Sequence, residues 1–71
     1  MCLSTVYIKD ENRESVVMEE ASRVEATVDG NVMVETLFGE KKSFMGYIIS
    51  EVNFLKNYLI LQKRGRADAR S

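Results

Sequence analysis

Thiol and soft-metal chemistry have one place to happen in this chain. Cys2 is its only cysteine, and histidine is absent. If Met1 is removed, as methionine aminopeptidase usually does before a small residue, Cys2 carries both the terminal amine and the thiolate. Those two donors close a five-membered ring on one metal ion. Two subunits facing each other would supply two amines and two thiolates, a square-planar set that suits Ni(II) and for which Cu(II) competes. If Met1 is kept, its amine and the deprotonated Cys2 amide join the thiolate in another nickel-friendly set. The alternative is that Cys2 is a small apolar residue opening the first strand.

The same two facts exclude other chemistry. A Cys–His or Ser–His nucleophile needs a histidine base, and a histidine-rich zinc centre needs the ligand itself. The four glycines are scattered and form no phosphate-cradling loop. Glu19, Glu20, Glu25, Glu35, Glu40 and Glu51 fall mostly on expected solvent faces, with no second element for acid–base work. No catalytic residue and no organic cofactor site is expected, so the chain reads as a non-enzyme.

The elements that must position Cys2 read as β throughout. Residues 3–8 are rich in β-branched and aromatic side chains, with Ser4, Val6 and Ile8 on one face and Leu3, Thr5 and Tyr7 on the other, as in a strand. Residues 9–14 are charged and read as a turn. Residues 15–18 suit a brief strand, and residues 19–23 fit either a helical turn or a loop. Val24, Ala26 and Val28 alternate with Glu25, Thr27 and Asp29, as in a strand with one wet face. Asp29-Gly30-Asn31 is the strongest hairpin signal, because Asp-Gly tolerates positive φ. Val32, Val34 and Thr36 form one face of the partner strand. Residues 44–52 read as a fourth strand, with Gly46 marking a bulge or sharp bend as at a barrel corner. Residues 58–62 make a fifth. Five to six short antiparallel strands joined by tight turns imply an all-β fold, a small SH3-like barrel. Residues 1–63 form its single domain, and residues 64–71, with three arginines, read as a disordered basic tail.

A 71-residue chain buries a modest core and needs a staple. One cysteine cannot form an internal disulfide, so a metal or a homo-oligomer is the expected one. The charge balance is 10 basic to 11 acidic residues. That argues against a dedicated nucleic-acid surface, which carries a basic stripe. No apolar run is long enough to span a bilayer, and Lys9-Asp10-Glu11 interrupts the first apolar stretch too early for a signal peptide. The expectation is a cytoplasmic protein whose thiol stays reduced.

Six aromatic residues, Tyr7, Phe38, Phe44, Tyr47, Phe54 and Tyr58, could stack single-stranded nucleic acid, although such platforms normally lie in basic grooves. Core packing is the simpler role for them, as it is for Met18, Met33 and Met45.

The order of these features resembles the CooT family, small bacterial and archaeal nickel-binding proteins tied to carbon monoxide dehydrogenase maturation. The likeness runs from Met1-Cys2-Leu3-Ser4-Thr5-Val6-Tyr7 through Asp29-Gly30, Thr36-Leu37-Phe38-Gly39-Glu40 and the Gly46 strand to Asn57-Tyr58-Leu59-Ile60-Leu61. It covers residues 1–62. The resemblance implies an SH3-like barrel and a homodimer, with nickel held at the dimer contact by the cysteine that Cys2 matches. It carries over no other ligand. The expected role is a metallochaperone or nickel reserve for an acceptor nickel enzyme such as carbon monoxide dehydrogenase. The alternatives are an RNA-binding barrel of the SH3 or Sm type and a ligand-free protein interaction module.

Overall fold

The computed structural model describes residues 3–63. Cys2 and the basic tail at residues 64–71 therefore lie outside the described residues. Six strands follow in chain order: β1 (Ser4–Asp10), β2 (Arg13–Ala26), β3 (Asn31–Thr36), β4 (Lys41–Met45), β5 (Tyr47–Asn53) and β6 (Tyr58–Lys63). They form one sheet in the order β4-β3-β2-β1-β6-β5. The sheet curls until β3 and β5 meet across its hollow side, giving a half-barrel with an all-β core.

Period-2 alternation decides which side is buried. Val32, Val34 and Thr36 of β3 are buried, while Asn31, Met33 and Glu35 between them are half-buried. Val6 of β1 and Leu59 and Leu61 of neighbouring β6 join Val32, Val34, Phe44 and Ala21 in one apolar cluster. Ile8, Met18, Val24 and Tyr47 pack around it. Met45, expected in the core, is instead 73% exposed. It follows buried Phe44 at the end of β4, so alternation turns it away from the core.

Three strand expectations are corrected. The two short strands around residues 15–18 and 24–28 are one 14-residue strand, β2. Residues 13–21 of β2 pair with β1, and residues 21–26 pair with β3, so Ala21 is shared by both. A strand that changes partners midway must bend, and Glu20 takes the bend at φ 59. Val28 lies beyond that strand, in the turn to β3. The expected fourth strand is two, β4 and β5, broken at Gly46, whose φ of 79 suits glycine. Finally, β1 and β6 run parallel, with Tyr7 opposite Ile60. The other four neighbouring pairs are antiparallel.

The Asp-Gly hairpin joins β2 to β3 as expected. The Gly30 N–H donates to Thr27 O at 3.2 Å, and the Thr27 N–H donates to Asn31 O at 2.9 Å. Gly30 takes φ 94, so this is a loop closed by one left-handed glycine.

Candidate metal site and its surroundings

Ser4 opens β1, two residues after Cys2. It lies opposite Ala21 of β2, which in turn lies opposite Thr36 at the end of β3. The next residue, Thr5, donates its N–H to Asn57 O at 3.1 Å. The start of the described chain is thereby set between two turns, the one after β3 and the one between β5 and β6.

Both turns are held by short polar contacts. In the β5–β6 turn, Asn53 Oδ1 accepts the Lys56 N–H at 2.8 Å. Asn57 leaves that turn at φ 59, a conformation asparagine tolerates better than most residues. In the turn after β3, the Thr36 hydroxyl accepts N–H groups from Phe38 and Glu40, each at 3.2 Å. The Gly39 N–H donates to Thr36 O at 3.0 Å, and the Leu37 N–H reaches back to Glu20 O at 3.0 Å. Thr36 is buried, so these bonds satisfy a polar group that would otherwise cost stability.

The turns fix the backbone while leaving large apolar side chains in water. Phe54 is 86% exposed, Leu55 89% and Phe38 74%. Leu37 is also exposed. Leu37 and Phe38 sit on one turn and Phe54 and Leu55 on the other, both at the end of the sheet where β1 starts. Beside it runs an open groove of about 280 Å³ between β2 and β5, lined by Ala21, Val24, Ile49, Val52 and Phe54 among others.

The six aromatic residues do not assemble into one platform. Phe44 is buried and meets Tyr47 edge to face at 6.0 Å between centroids, with the Lys42 ammonium 5.7 Å from the Phe44 ring centroid. Phe38 and Phe54 sit on separate turns. Tyr7 and Tyr58 pair on the other side of the sheet, centroids 6.1 Å apart at 89°. There the Tyr58 hydroxyl donates to Glu51 Oε2 at 2.7 Å. That bond raises the Tyr58 pKa above 10.0, with smaller contributions from the negative charges of Glu51 and Glu14.

The carboxylates are largely solvated, as expected. Glu35 is the partly buried one, and Arg23 bridges it to Glu25 at 3.4 and 3.3 Å. Such exposed pairs contribute little to stability. Among the described residues no group of three or more His, Cys, Asp or Glu side chains could hold a metal ion. No helix there is long and apolar enough to cross a membrane.

The locked apolar turns were not foreseen from sequence. The signals were present in Asn53 and Asn57 bracketing Phe54-Leu55-Lys56, and in Thr36 standing two residues before Phe38 and four before Glu40. Asparagine and threonine side chains in such places bond the backbone rather than solvent.

The family model for the CO dehydrogenase accessory protein CooT matches residues 1–62. A crystal structure of a protein from Carboxydothermus hydrogenoformans, designated CooT, superposes with a TM-score of 0.77 at 19% sequence identity. The superposition covers 87% of this chain and 97% of that one. No functionally curated protein matches the chain.

Proposed function

The chain belongs to the CooT family of CO dehydrogenase accessory proteins, and we propose that it carries nickel as cargo for such an enzyme. In this reading Cys2 is the metal ligand, and one Ni(II) is shared between the Cys2 residues of two copies. The protein works in the cytoplasm as a metallochaperone or nickel reserve and performs no catalysis.

The observation that carries the reading is the setting of the chain start. β1 begins at Ser4, and the turns on either side of it present Leu37, Phe38, Phe54 and Leu55 to solvent. A second copy seated on that end would bury these side chains and bring two chain starts together. The donor chemistry agrees. The chain has one thiol and no imidazole, so thiolate ligation is confined to Cys2, with backbone nitrogens beside it. Thiolate and nitrogen donors together suit Ni(II).

The test is a Ni(II) titration of the reduced protein, followed by thiolate charge-transfer absorption with mass by light scattering. The expected result is saturation at one nickel per two chains, lost in Cys2→Ser while the β-sheet circular dichroism is kept. Equal nickel affinity in Cys2→Ser would overturn the reading. Absence of any nickel signal would favour the interaction module, to which the same exposed turns are suited.

A further inference from the structure

The side of the sheet opposite the core carries a second feature that nickel binding does not use. Leu59 and Leu61 face the core, yet Ile60 between them is only 6% exposed. What shields it is a shallow cleft lined by Tyr7, Tyr58, Glu14, Glu51 and Ile60 itself. Strand register explains the grouping. Val16 of β2, Tyr7 of β1, Ile60 of β6 and Glu51 of β5 lie in one row across four neighbouring strands. Tyr58 stands edge-on to Tyr7, and its hydroxyl is tied to Glu51.

The composition of this cleft is specific. Its floor is apolar, its walls are two tyrosine rings, and a carboxylate stands at each side. Among the described residues no cation pairs with either carboxylate: the Arg23 bridges go to Glu25 and Glu35, and Lys9, opposite Glu14 in the register, takes part in neither. The cleft measures about 260 Å³. That is below the common range for small-molecule pockets, about 300–1,000 Å³, and fits one long side chain. Aromatic faces attract cations, and a planar guanidinium can stack on a ring while its edge donates to a carboxylate.

We propose that this cleft receives an arginine side chain of a protein partner, with Tyr7 and Tyr58 contacting the guanidinium plane and Glu14 and Glu51 accepting its N–H groups. Val16, half-exposed at the end of the same row, extends the contact to apolar residues neighbouring that arginine. The partner is a protein carrying an exposed arginine. Nucleic acid is disfavoured, since both carboxylates would repel its phosphates.

The test uses the full chain without nickel, so its outcome is separate from that of the nickel titration. A blocked Gly-Arg-Gly tripeptide is titrated while backbone amide shifts are followed by NMR. The expected result is saturable shifts centred on Tyr7, Tyr58 and Ile60, with affinity falling as salt is raised. Glu51→Gln and Glu14→Gln should each weaken binding about 1.4- to five-fold, the range for exposed ion pairs. The second variant leaves the Tyr58–Glu51 bond in place. A citrulline tripeptide, neutral but of the same shape, should not saturate. The proposal is overturned by citrulline binding as well as arginine, by shifts centred elsewhere, or by no saturable shift up to the peptide's solubility limit.

Discussion

The Tyr58 hydroxyl donates to Glu51 Oε2 at 2.7 Å across the β5–β6 pair, and this bond raises the tyrosine's pKa above its ordinary 10.0. The proton that Tyr58 would lose is the one Glu51 accepts, and the phenolate formed would face a carboxylate. The linkage has a definite sign. Below pH 10.0 folded and unfolded chains both keep the proton, and the bond's contribution is fully present. Above it the unfolded chain loses the proton first, so stability falls as pH rises through the folded value. The expected outcome is a Tyr58 tyrosinate signal, obtained by subtracting a Tyr58→Phe titration, that rises later than an ordinary tyrosine's. In Glu51→Gln that signal should move back toward lower pH. An unchanged titration in Glu51→Gln would show that the carboxylate does not hold the proton.

Gly46 separates backbone conformation from space. It splits β4 from β5 at φ 79, and its N–H donates to Gly30 O at 2.9 Å. A Cβ added there would meet nothing within 4 Å. Gly46→Ala should therefore cost only the left-handed backbone penalty, about 1–2 kcal/mol, as a shift in urea midpoint at constant m-value. A chemically synthesised chain with D-alanine at this position accepts positive φ and should be at least as stable as the parent. If both enantiomers destabilise equally, the strain is steric.

How far the fold could be read from sequence turns on these same positions. The β3 face of Val32, Val34 and Thr36 was legible because strict alternation has one physical meaning. Gly46 was legible as a bend, since glycine inside an apolar run marks one. Glu20 was not. A glutamate at φ 59 breaks the usual residue preference, and it stands in the irregular stretch where β2, still paired with β1 through Ala21, begins to pair with β3. The parallel β1–β6 pair was equally hidden, because register between chain ends depends on closure of the whole sheet. For the site, residue types alone singled out Cys2. The apolar turns around the chain start emerged only once Thr5 was seen bonded to Asn57.

Thr36 is a second position where one side chain holds a surface in place. Its hydroxyl accepts two N–H groups from the turn that carries Phe38, and the residue is buried. Thr36→Val keeps the shape and removes the acceptor. The loss should be about 1–3 kcal/mol, the usual penalty for stranding buried polar groups. Amide hydrogen exchange at Phe38 and Glu40 should quicken more than exchange in β6. Uniform quickening across the sheet would mean that Thr36 supports the core rather than the turn.

The strongest demand falls on Phe54 and Leu55. They are 86% and 89% exposed on a turn fixed by Asn53, Asn57 and Thr5. In a lone chain they contribute almost nothing to folding, so polar replacements should leave its stability within about 0.5 kcal/mol. If a second copy covers them, each is a central apolar anchor of the kind whose loss costs about 2 kcal/mol or more in association. The double variant Phe54→Ser/Leu55→Asp is therefore expected to sediment as a monomer with an unaltered sheet spectrum. Its nickel binding should weaken in parallel, because the shared site loses its second thiolate even though Cys2 is intact. A variant that stays dimeric would remove this surface from the interface. A monomer that still binds one nickel per chain at parent affinity would show that Cys2 holds the metal without a second copy.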